Sequence, residues 1–215
     1  MNPIDVCATV AIQTFPDVLI STSAGVLRYP VVMVAIAGSE TGGTWDASAA
    51  GDCGLGGLSC GDCMFGGTAA TSWGLWQIHN VHATYLQQQT GSADPCVWAS
   101  WCYQPLNCAQ AALALVGTAP TAQALADTWT TFADGSWAAH VPDAGVAVDL
   151  AYQRAQQGGG STPPPPQPQK PVTAGVLVGL AVALGAAAVV LAEYGAFRWV
   201  ESAVRKASGG AAWRR

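Results

Sequence analysis

The chain has 215 residues, enough for one domain of ordinary size and an appendage, and only 10% of them are charged. The part up to Pro171 carries eleven acidic and three basic side chains, whereas the remainder carries two acidic and five basic ones. A hydrophobic, acidic front part excludes a disordered chain. It also excludes direct nucleic-acid binding, which needs clustered Lys or Arg, so we expect no nucleic-acid partner.

Residues 1–157 predict a mainly α domain. The N-terminus lacks a basic stretch and contains Asp5, so we expect no secretory signal peptide. Pro30 followed by VVMVAIAGSE predicts a helix that ends near Glu40. The stretch 42–71 is rich in glycine and predicts a loop or small hairpin region. Further helices are predicted over 107–116, 121–132 and 143–157.

Seven cysteines are many for a reducing compartment, and six of them lie in loop-rich stretches, which favours disulfides outside the cytosol. Those six are Cys53, Cys60, Cys63, Cys96, Cys102 and Cys108. Cys7, alone in a predicted helix, is the expected free thiol. The alternative is a zinc site made of Cys53, Cys60, Cys63 and His79. Because a matching second C-x-x-C pair is missing, we expect no metal and no cofactor. We also expect groove or surface positions, not catalysis, for His79, His82 and His140.

Glu40 is the only glutamate before the apolar C-terminal segment, and it directly follows the apolar run VVMVAIAG. A carboxyl group at the edge of an apolar core is partly desolvated, which raises its pKa toward the range of a general acid. The alternative is a solvated carboxylate that ends a helix. Its position by itself favours neither interpretation.

Glu40 belongs to an ordered series of short motifs. They are S-E-T-G-G at 39–43, S-W-G-L-W-Q-I at 72–78, N-x-x-Q-A-A at 107–112, and W-x-x-F at 129–132 followed by G-S-W at 135–137. This order resembles the soluble lytic transglycosylase and goose-type lysozyme family, including the lysozyme-like domains carried by phage particles. The resemblance covers roughly residues 25–155. It implies a mainly α, lysozyme-like (goose-type/SLT) fold with a small loop or hairpin region.

The resemblance also implies roles for individual residues. Glu40 would protonate the glycosidic oxygen between N-acetylmuramic acid and N-acetylglucosamine in the glycan strands of peptidoglycan. Amide and hydroxyl groups would bond the sugar hydroxyls in a groove beside it, and flat indoles would stack on the sugar faces. The residues expected to bind substrate in this way are Ser72, Trp73, Gly74, Trp76 and Gln77.

A second carboxylate would act as base or nucleophile, and Asp46 and Asp52 are the nearest in sequence. The family commonly works without one, because the muramic acid 6-hydroxyl attacks the anomeric carbon and leaves a 1,6-anhydro end. Hydrolysis and transglycosylation therefore both stay open. The chain departs from the family pattern by a Cys-bearing insertion at about 54–70. It also reads L-A-L at 113–115 where an aromatic-Asn motif is usual, which leaves open which group supports the acid.

The C-terminal part predicts attachment to a lipid membrane. Residues 158–171 read as a Gly/Pro-rich linker, and 172–194 begin with 21 uncharged positions, enough to cross roughly 30 Å of hydrocarbon. The basic tail, 195–215, indicates that the C-terminus lies inside and the large domain outside. Gly175 and Gly179 form a G-x-x-x-G pair, which indicates either a helix–helix dimer or chance in a helix rich in small residues.

These features together predict a membrane-anchored lytic transglycosylase or muramidase that cuts peptidoglycan. Without a signal peptide, the expected location is the virion membrane of a bacteriophage, where the protein would open the cell wall as the genome enters. A bacterial envelope, in a secretion or conjugation apparatus, is the alternative location with the same chemistry. The alternative of a different class is a catalytically inactive wall-binding or structural virion membrane protein of the same fold.

Overall fold

The computed structural model describes residues 1–52, 58–62 and 69–157. Their helices are α1 (Pro3–Thr14), α2 (Tyr29–Glu40), α3 (Ala83–Thr90), α4 (Pro95–Cys102), α5 (Pro105–Val116), α6 (Ala122–Thr128), α7 (Thr130–Ala133) and α8 (Val141–Gln157). Their strands are β1 (Leu19–Thr22), β2 (Gly25–Arg28), β3 (Ala50–Gly51), β4 (Ser72–Trp73) and β5 (Ile78–His79). The prediction of a mainly α domain is confirmed.

The predicted C-terminal features lie outside the described residues: the linker 158–171, the membrane helix 172–194 with Gly175 and Gly179, and the tail 195–215. Within the part of the chain that is described, no helix is both long enough and apolar enough to span a membrane.

Helix α2 lies at the centre of the domain. Every residue from Tyr29 to Gly38 is buried, because the helix is apolar on all faces and is surrounded by α1, α7, α8 and the 3₁₀ turn Ser136–His140. Pro30 lies in its first turn, as predicted. Glu40, the last residue of this helix, therefore lies at the edge of the core.

Three predicted helices are present with shifted bounds. Helix α5 begins at Pro105, two residues earlier than predicted, and α8 begins at Val141. The stretch 121–132 forms two helices instead of one. The break falls at Trp129, whose backbone is extended and whose indole N–H donates to the carbonyl oxygen of Trp76 at 2.8 Å.

Two small antiparallel sheets complete the domain. The β1–β2 hairpin, which the sequence pattern did not indicate, pairs Leu19 with Arg28. The Arg28 guanidinium donates two hydrogen bonds of 2.7 Å to Asp17 and lies 4.1 Å from the ring centroid of Tyr152 on α8. Strands β3, β4 and β5 form the second sheet, in the order β3-β4-β5, downstream of α2.

The cysteines only partly follow the prediction. Cys60 forms a disulfide with Cys96, and Cys7 is free and buried, as predicted. The expected disulfides of Cys102 and Cys108 are wrong, because both thiols are free in the core, where Cys108 Sγ lies 3.9 Å from the carbonyl oxygen of Trp73. The alternative zinc set as predicted is also wrong, since the sulfur of Cys60 is already bonded to another sulfur. Cys53 and Cys63 lie outside the described residues.

Candidate active site

Glu40 is half-buried at the end of α2, and its carboxyl group is not in open solvent. Its Oε1 accepts a hydrogen bond of 2.5 Å from the hydroxyl of Thr131 on α7. Burial raises the pKa of Glu40 from 4.5 to about 7; the Thr131 hydrogen bond lowers it, while the charges of Asp52 and Asp134 raise it. Near neutral pH this carboxyl group can therefore either donate or accept a proton.

Hydroxyl groups join the end of α2 to the segment that carries Thr131. Ser39 Oγ lies 3.0 Å from Ser136 Oγ, and Ser136 Oγ donates to the carbonyl oxygen of Thr131 at 3.2 Å. The Ser136 backbone N–H donates to Asp134 Oδ1 at 2.9 Å. The sequence motif at 129–137 included this region, but nothing in its pattern singled out Thr131.

Of the two predicted second carboxylates, Asp52 is the one whose charge acts on Glu40. It directly follows β3, and its charge raises the pKa of both Glu40 and His79. Its φ of +54° is left-handed, a conformation that costs on the order of 1–3 kcal/mol for a residue other than glycine and that occurs preferentially at functional sites. Asp46, in contrast, does not act on Glu40; its Oδ1 accepts hydrogen bonds from the N–H and the hydroxyl of Ser48.

A polar chain supports the unusual backbone at Asp52. The Thr71 hydroxyl donates to the carbonyl oxygen of Asp52 at 2.8 Å and lies 3.4 Å from His79 Nε2. His79 Nδ1 accepts from the N–H of Val81 at 3.1 Å, so Nε2 carries the ring proton and donates it to Thr71. Burial lowers the pKa of His79, which agrees with this neutral form. Burial likewise lowers the pKa of His82, to about 4.

The predicted sugar-stacking role of the two tryptophans is wrong, because both indole rings lie in the core. Trp73 and Trp76 are fully buried, and their N–H groups donate to the carbonyl oxygens of Cys60 at 3.0 Å and Met33 at 2.8 Å. A ring enclosed on both faces has no surface for a sugar. Gly74 is buried as well, and a Cβ atom there would lie 2.4 Å from the carbonyl oxygen of Cys102.

The side chain of Gln77 also points inward, so its predicted sugar contact is corrected in the same way. Its amide N–H groups donate to the carbonyl oxygens of Ala49 and Gly74 at 3.1 and 2.8 Å. Its Oε1 accepts from the buried hydroxyl of Ser72 at 2.9 Å. A Cβ atom at Gly51 would lie 2.4 Å from that oxygen. Gln77 and Ser72 therefore hold together the sheet whose strand β3 ends at Gly51, directly before Asp52.

Trp45 is a residue near the acid that the sequence did not single out. Its ring packs on Gly38 of α2, its N–H donates to the carbonyl oxygen of Val34 at 2.9 Å, and it meets His140 edge to face at 5.5 Å. Its own backbone N–H donates to the hydroxyl of Thr41 at 2.8 Å. These contacts hold the loop that follows Glu40 against the helix from which it leaves.

The described residues thus combine an acid whose pKa lies near neutrality with a second carboxylate, Asp52, whose charge acts on that acid and whose backbone is left-handed. Such a pair can protonate a leaving oxygen and either stabilise the positive charge that develops or accept a proton from a nucleophile. Comparisons of the chain with protein-family models, with curated proteins and with solved structures return no match.

Proposed function

We propose that this protein is a peptidoglycan-cleaving glycosidase of the lysozyme-like type, a lytic transglycosylase or muramidase, with Glu40 as its general acid. The observation that carries the proposal is the half-buried carboxyl group of Glu40 at the end of a buried helix, hydrogen-bonded to Thr131, with a pKa that burial raises to about 7. The order of motifs along the chain supports it, because the helix-ending S-E is followed by a turn and by the S-W-G-L-W-Q segment.

The proposed reaction uses two carboxyl groups in different protonation states. Protonated Glu40 gives its proton to the glycosidic oxygen, and the bond from that oxygen to the anomeric carbon breaks. Ionised Asp52 stabilises the oxocarbenium-like transition state by its charge. A hydroxyl oxygen then bonds to the anomeric carbon, and its proton passes to a carboxylate, either Asp52 or the ionised Glu40.

The attacking hydroxyl distinguishes the two forms of this activity. Water gives hydrolysis, whereas the muramic acid 6-hydroxyl gives an anhydro end. The charge of Asp52, which acts on Glu40, favours hydrolysis, because a base that receives the proton of water is what the two-carboxylate route requires. Asp46 has no part in this proposal, since it does not act on Glu40.

A specific observation favours an enzyme over an inactive wall-binding protein of the same fold. Binding a glycan does not require a half-buried carboxyl group whose proton is retained to about pH 7, and the burial of this group costs stability at neutral pH. Attachment to a membrane through 172–194 and location in a phage virion or a bacterial envelope remain predictions from the sequence.

The test is clearing of purified peptidoglycan by the full chain and by single variants. We expect Glu40→Gln to lose activity by at least about 100-fold, the usual contribution of general acid catalysis. Asp52→Asn should lose a comparable amount, and the matched control, Asp46→Asn, should stay close to wild type. Equal clearing by Glu40→Gln and wild type would refute the assignment of the acid.

The mass of the products separates the two attacking groups. Hydrolysis gives muropeptides one water heavier than the anhydro products of transglycosylation. We expect the heavier products from the wild-type protein. Anhydro ends together with an active Asp52→Asn variant would contradict the role of Asp52 and leave the role of Glu40 intact.

A further inference from the structure

We propose that Thr131 is the positioning residue of the acid: its hydroxyl holds Oε1 of Glu40, so that the transferable proton is carried by Oε2. The catalytic consequence of this inference rests on the proposed function, whereas its structural basis does not. The segment L-A-L at 113–115 has no side chain able to hold a carboxyl group. Thr131, on a different helix, supplies that support.

The hydrogen bond distinguishes the two carboxyl oxygens of Glu40. A threonine hydroxyl has one hydrogen, and at 2.5 Å from Oε1 it donates to that atom. When Glu40 is protonated, the same bond is strongest with the acid proton on Oε2, because a carbonyl oxygen accepts better than an oxygen that carries a proton. Among the described residues, Oε2 has no hydrogen-bond partner. It is therefore the oxygen that can meet a substrate.

Thr131 is itself held by neighbouring hydroxyl groups. Ser136 Oγ donates to the carbonyl oxygen of Thr131, so the Ser39 hydroxyl must be the donor in the 3.0 Å pair between the two serines. Ser39, Thr131 and Ser136 form what we call the hydroxyl cluster. Since Ser39 directly precedes Glu40, these hydrogen bonds connect the end of α2 to Thr131 and fix the position of Thr131 relative to the acid.

Two buried residues near Thr131, one on each side of it in the sequence, anchor its segment to the core. Phe132 stacks on Trp137 with ring centroids 4.7 Å apart and an interplanar angle of 19°. Trp129, two residues before Thr131, is hydrogen-bonded to Trp76. Thr130, in contrast, is exposed. The two adjacent threonines thus provide a functional position and a matched control.

The charged groups that act on Glu40 come from two elements. Asp52 follows β3, and Asp134 follows α7. His140, on the 3₁₀ turn, packs near Gly38 and Gly43 of the same region. A substitution of Thr131 by Val, Ala or Ser adds no charge and removes none among these groups. A change in the titration of Glu40 in such a variant therefore reports the lost hydroxyl.

The experiment compares Thr131→Val, Thr131→Ala and Thr131→Ser with Thr130→Val in the full chain. The Glu40 carboxyl is titrated directly by NMR after labelling glutamate; the chain has three glutamates, and Glu40→Gln identifies the resonance. We expect Val and Ala at 131 to raise the pKa of Glu40 by roughly one unit, the usual effect of one hydrogen bond to a carboxylate. Ser at 131 and Val at 130 should leave it unchanged.

Peptidoglycan clearing gives the second readout. Val or Ala at 131 should lower the rate by roughly 10- to 100-fold, because the acid is misplaced. The decline of the rate at high pH should also shift to a higher pH, because the pKa of Glu40 is raised. A merely structural role would lower the rate without that shift. Serine should restore both properties.

Two results separate this inference from the proposed function. If Glu40 titrates at the same pH in Thr131→Val, Thr131→Ala and wild type, the inference is overturned, whatever the protein cleaves. If the shift appears and the wild-type protein does not clear peptidoglycan, the positioning role stands and the proposed function fails.

Discussion

Gly38 of α2 and Trp45 of the following loop are in direct contact: a Cβ atom at residue 38 would lie 2.6 Å from Cζ2 of the indole. Glu40 lies between these two residues in sequence. The contact brings the loop back onto the helix immediately after the acid. The loop can pack this closely on the helix next to Glu40 because residue 38 has no side chain.

Gly38→Ala tests this contact. Alanine is the better helix former, but its methyl group would displace a rigid ring that also contacts His140, so we expect a loss of about 1–3 kcal/mol in the free energy of unfolding. Urea denaturation followed by tryptophan fluorescence measures it. Gly145→Ala in α8 is the matched control, because nothing lies within 4 Å of the added Cβ there. This control should gain up to about 1 kcal/mol. Equal effects at the two positions would contradict the contact.

The sequence predicted the parts of the fold that depend on local chemistry. The apolar run after Pro30 predicted α2 and placed Glu40 at its end, and Gly117 correctly ended α5. Glycine and proline act through their own backbone restrictions, and an apolar run records burial directly. These signals do not depend on which other segment packs against them.

The remainder depends on contacts between distant segments. Thr131 is 91 residues from Glu40, and a threonine next to a second threonine carries no pattern that would reveal its partner. The direction of Trp73 and Trp76 could not be read either, because an indole suits a core and a sugar-binding surface equally well. The sequence could not distinguish Asp52 from Asp46. The position of Asp52 depends on the pairing of β3 with β4, and that pairing involves only two residues on each strand.

Gln77→Leu should destabilise the domain although leucine is more hydrophobic. The substitution leaves the buried hydroxyl of Ser72 without its acceptor, and the carbonyl oxygens of Ala49 and Gly74 each lose one of their two hydrogen bonds. We expect a loss of about 2–4 kcal/mol in the free energy of unfolding, measured by urea denaturation. Gln88→Leu, at an exposed position of α3, should stay within about 0.5 kcal/mol of wild type. A comparable loss in both variants would show that the buried amide contributes nothing specific.

Removal of the disulfide by a Cys60→Ser, Cys96→Ser double variant should also lower stability. The bond joins residues 36 apart in the sequence, and closing a loop of that length contributes about 3–4 kcal/mol through the unfolded state. The midpoint of thermal unfolding, with and without reductant, measures this contribution. In reductant, wild type and the double variant should unfold at similar temperatures. A variant as stable as the oxidised wild type would contradict the prediction.

The proposed activity should decline as the pH rises through about 7. A general acid must be protonated to act, and the pKa of Glu40 is about 7 because the group is buried. Above that pH the rate should fall by about a factor of ten per unit. Initial rates of peptidoglycan clearing between about pH 5 and pH 9, at constant ionic strength, test this. A rate that stays constant up to pH 9 would contradict Glu40 as the acid, and Asp46→Asn should give the wild-type profile.

The same pKa predicts that Glu40 lowers the stability of its own domain at alkaline pH. Glu40 binds its proton more tightly in the folded state, with a pKa of about 7 against 4.5 in the unfolded chain. Its contribution to stability is therefore fully present below pH 4.5, declines as the pH rises and is lost above about pH 7, a change of about 3 kcal/mol. Glu40→Gln removes the ionisation and keeps an oxygen that can accept from Thr131. Urea denaturation at pH 8 should thus show Glu40→Gln to be more stable than wild type, whereas at about pH 4 the two proteins should differ little. A variant that is less stable than wild type at pH 8 would mean that the folded protein does not hold this carboxyl group in its neutral form.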